Sequence, residues 1–362
     1  NGLVNRRSSV RVRQSAPYNK KLKKILAKKS MVFLLALLLI VPGILALLMM
    51  PFVITFGPSS WSWAALRSFD RWCHTTIING FEFHKNITFD SNLDNLVANT
   101  KCIVIAVPSH SVRQTMAKVS NQLSNDTIIV NVSKGIENDS LKTMSEVICE
   151  ITSKDLSKIV TLYGPSHAEE VIAKHPTTLV SASTSNTSAS YVQKIFSSSQ
   201  LRVYTNKDIY GVELGGSLKN VIAIATGICD GIGFGDNTKA ALLTRGIAEI
   251  THLGVTMGAN ADTFNGLSGV GDLIATCLSK HSRNRFVGEE IGKGKKLKEI
   301  LNQMDMVAEG VKTTKSVYDL SKKHQIDMPI CEGVYDILFN DKDPKSKVIE
   351  LMTRDLKDEK KI

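Results

Sequence analysis

The chain reads as a doubly wound parallel α/β sheet followed by an all-helical C-terminal domain, and three observations carry that reading. Short, wholly apolar segments alternate with helical ones between Lys101 and Tyr204. After about Asp208 the strand-like runs stop, and long Ala, Leu and Ile segments with helical spacing take over. Small, hydroxyl-bearing or cationic residues follow the apolar runs, which is where a parallel sheet collects its ligands.

Taken in order, Cys102 to Val107 (CIVIAV) is a first strand, Ser109 to Leu123 a helix, and Ile128 to Val132 (IIVNV) a second strand. Ser140 to Thr152 is helical, Ile159 to Tyr163 a strand, and His167 to Lys174 a helix. Thr177 to Ser181 is a strand, Ala189 to Phe196 a helix, and Leu201 to Tyr204 the last strand. Beyond a boundary near residue 205 the helices run from Leu214 to Cys229, Asn237 to Met257, Arg285 to Gly292 and Lys312 to His324. The Lys- and Asp-rich stretch after Asp341 reads as a polar tail.

The 362 residues, 43% hydrophobic and 22% charged, suffice for two domains and exclude a disordered chain or a disulfide-stapled mini-protein. The formal charge of +11 is concentrated in residues 1–30, which hold ten Lys or Arg and no acid, so the body is close to neutral and no nucleic-acid partner is expected. The six cysteines are scattered without a Cys-x-x-Cys pair, which points to neither a zinc site nor a disulfide framework and fits a reducing compartment. Met31 to Phe56 is a run of 26 uncharged residues behind the basic arm, and hydropathy alone makes it a span or a signal segment. That orientation would carry the body out of the cytoplasm. Phe52 to Phe56 can instead be the first strand of the sheet, so membrane association is expected only if the 31–56 segment is a true span. A misplaced start, a frame disturbance and a genuine fusion would each explain the break in composition.

Three strand ends present Pro108-Ser109-His110, Ser133-Lys134-Gly135 and Gly164-Pro165-Ser166-His167-Ala168-Glu169 on one rim. Taken singly, each reads equally well as a helix cap or a turn. Lys219 lies in a helix that is apolar for more than two turns, after Gly215, Gly216 and Ser217, which let another segment or a ligand come close. Desolvation there would lower its pKa toward a value useful for proton transfer, the alternative being a lysine that snorkels to water. Asp272 follows a Gly-rich turn at a helix start. Ser282, Arg283 and Asn284 open another helix, a combination suited to phosphate or to a solvated face.

Together these motifs resemble the NAD(P)-dependent glycerol-3-phosphate dehydrogenase family, bacterial type, over roughly residues 80–340. VPSH, NVSKGIE, GPSHAEE, VELGGSLKNVIAIATGI, NTKAALLTRGIAEI, GLSGVGDLIATC, SRNRFVG and AEGVKTTK fall in the family's order and spacing. The resemblance implies a Rossmann-type domain over residues 51–204 after a non-family segment 1–50, a helical substrate domain over 205–345, and a tail over 346–362. It implies Lys219 as the proton-transfer residue, and Lys134, Gly164, Ser166, Asp272, Ser282, Arg283 and Asn284 around glycerol phosphate, with Asn220 and Thr276 carried over from eukaryotic relatives. It implies that Gly57, Ser60, Trp61, Lys134, Ala168, Arg283, Val307 and Glu309 touch the dinucleotide, NAD or NADP, with no metal. A cytoplasmic homodimer that supplies glycerol phosphate for phospholipid synthesis is the corresponding expectation. Phe52 to Ala65 departs from the family's Gly-x-Gly-x-x-Gly, with Gly57 in the first position and Ser59 and Ser62 in the second and third. Side chains there crowd the pyrophosphate turn. The stretch from Ala65 to Gly80 is also short for the helix and second strand that would choose between NAD and NADP. Two other readings stand beside this one: another hydroxy-acid or sugar-phosphate dehydrogenase with a helical second domain, and a membrane-tethered or inactive homologue with impaired cofactor binding.

Overall fold

A computed structural model describes residues 93–97, 100–304, 308–356 and 358–359. The apolar runs become strands β1 (Cys102–Ile105), β2 (Ile128–Asn131), β3 (Ile159–Tyr163), β4 (Thr177–Ala182) and β5 (Leu201–Asn206), paired in sequential order. A short helix α1 (Leu93–Val97) precedes them. Between the strands lie α2 (Val112–Val119), α3 (Met144–Thr152), α4 (Ala168–Ile172) and α5 (Asn186–Phe196). The side-chain alternation of each strand feeds two cores. Ile103, Ile105, Ile129 and Ile159 face α2 and α3, while Val104, Val130, Val160 and Leu162 face Val192 and Phe196 of α5. Helices thus cover both faces, as wholly apolar strands require.

One expectation needs correction. β1, β2 and β3 are parallel, but β4 runs antiparallel to β3, and β5 is parallel to β4. The reason lies in α4, which has five residues. At about 1.5 Å per residue it is roughly 8 Å long, half the length of a five-residue strand, and it cannot carry the chain back for a parallel crossover. The 11-residue α5 can, and β4 and β5 are parallel.

The helical part begins with α6 (Ile209–Ile232), capped by Asp208, whose Oδ1 accepts from the Gly211 amide at 2.8 Å. It continues as α7 (Asp236–Thr256), α8 (Ala261–Phe264), α9 (Asp272–Leu278), α10 (Arg283–Gly292), α11 (Leu297–Gln303), α12 (Glu309–His324), α13 (Pro329–Phe339) and α14 (Pro344–Met352). The stretch expected to be a polar tail therefore contains a helix. Pro344 and the Asp343 cap start α14, and none of its residues is buried, so composition hid it. Among the described residues α6 is the one helix long and apolar enough to cross a membrane, and its apolar stretch is buried as the axis of the helical core. The Met31–Phe56 run lies outside the described residues.

The crossing of α6 and α10 fixes where the phosphate-type helix start stands. Gly227 and Gly231 on α6 meet Gly288 and Gly292 on α10, and the backbones touch. A Cβ on Gly227 would strike the Arg285 carbonyl, and one on Gly288 the Ile224 carbonyl. Gly288→Ala should therefore destabilise the fold by about 1–3 kcal/mol or more, as overpacking against backbone does. Gly235→Ala, with nothing within 4 Å of the new methyl, should stay within about 0.5 kcal/mol. Urea midpoints of the two variants check this; equal midpoints would remove the backbone contact from the account.

Candidate active site

Lys219 is held inside α6 by small neighbours that bring two other segments against it. A Cβ on Gly215 would sit 2.9 Å from the Ser268 carbonyl, and one on Gly216 would sit 2.5 Å from the Tyr163 ring. The first approach brings in the turn Leu267–Gly271, broken at Gly269, from which α9 starts at Asp272. The second brings in the end of β3. Lys219 is therefore buried, at 5% exposure, and the snorkelling alternative does not hold.

Its Nζ donates to Asp272 Oδ1 and to Thr276 Oγ1, both at 2.5 Å. The other oxygen of Asp272 accepts from Lys134 Nζ at 2.6 Å, and Lys134 also donates to the Gly164 carbonyl at 3.1 Å. One carboxylate thus joins a lysine from the β2 end to a lysine from the helical core. Gly164 has φ +138, a conformation that suits glycine, and it turns that carbonyl toward both Lys134 and the Ser166 hydroxyl, 3.2 Å away. Lys134 lies 5.5 Å above the Tyr163 ring.

These contacts set the protonation states. Burial pushes the Lys219 ammonium down, Asp272 pulls it partly back and Lys134 pushes it down again, which leaves it at about 8. Burial alone would raise the Asp272 carboxyl, but the ammoniums of Lys134 and Lys219 outweigh it and hold it below the usual carboxylate range. Asp272 stands in the first turn of α9, where the helix dipole also favours a negative charge.

A second group lies along the same rim. The Ser109 amide donates to Glu309 Oε1 at 3.0 Å, joining the β1 end to the start of α12. Gly135 packs on the Ser109 side chain, where a Cβ could not fit. Asn284 Oδ1 accepts from the Gly310 amide at 2.9 Å and ties α10 to α12 beside Glu309. Burial lowers the Arg283 guanidinium, while Glu309 and Glu169 pull it back. Burial raises the Glu309 carboxyl, against the Ser109 amide, Arg283 and Lys134.

The sequence-predicted residues Lys134, Gly164, Ser166, Lys219, Asp272 and Thr276 thus form one bonded chain, and Arg283, Asn284 and Glu309 form its neighbour. Ser282 caps α10, its hydroxyl accepting from the Arg285 amide at 3.2 Å. Asn220 is buried, and its carbonyl lies against Gly310, whose Cβ would be 2.8 Å away. Ala168 is the first residue of α4 and half-buried. Gly57, Ser60, Trp61 and Val307 lie outside the described residues. Sequence reasoning missed Asn131 and Tyr163, which brace the Ser133-Lys134 turn; a polar residue inside the otherwise apolar IIVNV strand was the available signal. It also missed His167, whose Nε2 lies 3.3 Å from the Ala275 carbonyl on α9. Burial and then the charge of Lys219 lower that imidazole.

The rim fits the nicotinamide end of a dinucleotide. Close packing of Gly135 on Ser109 and of Gly164 on Leu179 draws the strand ends together there, and Lys134 and Arg283 supply positive charge.

Two family models match this chain. The model for the C-terminal part of NAD-dependent glycerol-3-phosphate dehydrogenase matches residues 208–349, and the model for the N-terminal part matches residues 69–189. A glycerol-3-phosphate dehydrogenase [NAD(P)+] from Thermoanaerobacter sp. (strain X514) is 54% identical over 275 residues, covering 76% of this chain and 82% of the relative. One from Chlorobium phaeobacteroides (strain BS1) is 50% identical over 281 residues, covering 77% and 84%. The crystal structure of glycerol-3-phosphate dehydrogenase from Coxiella burnetii matches with a TM-score of 0.73 and 34% identity, over 76% of this chain and 84% of that one. A buried lysine and aspartate on a sheet rim, the order of the motifs and these matches lead to one conclusion: the chain belongs to the NAD-dependent glycerol-3-phosphate dehydrogenase family.

Proposed function

We propose that this chain interconverts sn-glycerol 3-phosphate and dihydroxyacetone phosphate with NAD or NADP. The observation that carries the reading is Lys219, buried beside Asp272 and Thr276 and pushed down to about 8. An ammonium has three N–H groups. Among the described residues two of them go to Asp272 and Thr276, which leaves the third for a substrate oxygen.

When bound, the nicotinamide accepts or supplies the hydride at the substrate's central carbon. In oxidation neutral Lys219 takes the proton from the hydroxyl on that carbon; in reduction the Lys219 ammonium returns it to the carbonyl oxygen. Asp272 orients the Nζ and, as an anion, stabilises the ammonium once formed. Lys134, fixed on Asp272 and Gly164, can donate to a neighbouring substrate oxygen without reorganising. Arg283, at the start of α10, is the residue that would hold the phosphate, since a guanidinium matches phosphate oxygens two at a time.

The same proposal includes a cytoplasmic homodimer that feeds phospholipid synthesis. Its support is the set of free cysteines among the described residues, Cys102, Cys149, Cys229, Cys277 and Cys331, which suits a reducing compartment, and the large helical domain, which suits an interface. Cell fractionation should recover the native protein with the cytoplasm, and recovery in membranes after high-salt washing would contradict this.

Lys219→Ala should lower kcat by about two to four orders of magnitude in a folded protein, the scale of a lost general acid or base. Near-normal turnover would remove Lys219 from the reaction. In the wild type, kcat/KM for oxidation should rise with pH and level off above about 8, because the base is the neutral amine. For reduction kcat/KM should fall through the same pH, because the acid is the ammonium. Arg283→Ala should weaken dihydroxyacetone phosphate far more than unphosphorylated dihydroxyacetone, and equal losses for the two would show that Arg283 does not read the phosphate.

A further inference from the structure

A carboxylate outside the rim is bonded to both elements that supply its lysines. Glu213 is 1% exposed and lies on α6, ahead of Lys219 on the same helix. Its Oε1 accepts from Asn131 Nδ2 at 3.1 Å, Thr161 Oγ1 at 2.8 Å and the Ser145 amide at 3.1 Å. Its Oε2 accepts from the Ser145 hydroxyl at 2.6 Å. One side chain therefore ties α6 to β2, to β3 and to the first turn of α3.

The bonds continue toward the site. Asn131 Oδ1 accepts from the Ser133 amide at 3.0 Å, and Asn131 Nδ2 reaches the Tyr163 hydroxyl at 3.2 Å. That hydroxyl in turn donates to the Ser133 carbonyl. Both backbone groups of Ser133 are thus set by residues in the Glu213 network, and the next residue is Lys134. A buried carboxylate is costly, and here hydroxyls and amides supply the compensating donors. Burial pushes its pKa up, while Ser145, Thr143, Thr161 and Asn131 oppose the shift.

We infer that Glu213 is a positioning residue: through Asn131 and Tyr163 it fixes the turn that carries Lys134, and through α6 it sets Lys219 against that turn, so it governs how the two ammoniums share Asp272. The kinetic half of the test rests on the proposed dehydrogenase activity; the labelling half does not.

Glu213→Gln and Tyr163→Phe are the variants. Tyr163→Phe keeps the ring under Lys134, changes no charge and removes the bond to the Ser133 carbonyl, so unchanged midpoints in it overturn the relay even where Glu213→Gln does not fold. Competitive acetylation across pH, read by mass spectrometry on substrate-free protein, gives the titration midpoint of Lys219 and the reactivity of Lys134. The charged or titratable groups that face Lys219 are Asp272 and Cys277 on α9, Lys134 on the β2 turn and His167 on the β3 turn. Release of the turn withdraws the Lys134 charge, so in both variants the Lys219 midpoint should rise and Lys134 should react faster. kcat/KM should fall about 10-fold to 100-fold through kcat, the scale of a misplaced reacting group. A purely electrostatic role predicts the opposite sign, since loss of a negative charge lowers nearby lysine midpoints in Glu213→Gln and leaves Tyr163→Phe unchanged. That pattern, or unchanged midpoints in folded variants, would overturn the inference. A wild type that turns over neither substrate would refute the proposed function, and the acetylation result would still decide the role of Glu213.

Discussion

The arrangement depends on the Asp272 carboxylate shared between Lys134 and Lys219. Side-chain exposures of 3% for Asp272, 6% for Lys219 and 15% for Lys134 put all three charges largely out of water. Each such ion costs several kcal/mol to desolvate, and mutual attraction repays this only when geometry is good and the remaining donors are satisfied. Here Thr276 takes a second bond from Lys219 and the Gly164 carbonyl a second from Lys134. The triad is therefore weak evidence for stability. It requires the sheet rim, α6 and α9 to meet in one register, and it leaves a lysine able to change its protonation state near neutral pH.

Everything that brings those three elements together is built with little tolerance. Gly215 and Gly216 admit the turn before α9 and the Tyr163 ring. The glycine pairs of α6 and α10 let two backbones touch, so the α10 start carrying Arg283 is placed by van der Waals contact rather than by a loop. Asn284 then hands the position on to Gly310 and Glu309, and Glu309 closes the circuit on the Ser109 amide. α6, buried from Gly211 to Cys229, serves as the axis to which each part is referred. Rigid packing of this kind suits a site whose chemistry needs reacting atoms held to fractions of an ångström.

Much of this was legible in the sequence, for identifiable reasons. Strands buried on both faces write themselves as unbroken apolar runs, and CIVIAV, IIVNV and IVTLY fold where they stand. A lysine in an apolar helix after two glycines signals a desolvated amine, and Lys219 is one. The direction of β4 was not legible, because strand composition is the same either way and the five-residue α4 decides it. Nor was the Glu213 network, since its partners at 131, 145 and 161 belong to three separate elements. The Asp272 and Lys219 pairing spans 53 residues, and the resemblance placed both about the substrate without joining them.

Burial and a shared carboxylate place the Lys219 amine at about 8 before any substrate arrives. Heteronuclear NMR of 15N-lysine protein, with the Lys219 signal assigned from Lys219→Arg, measures that titration directly. The expected midpoint is about 8, well below the ordinary lysine value of 10.5. A midpoint at the ordinary value would mean that the Asp272 charge cancels the effect of burial and that the triad does not prepare the amine for proton transfer.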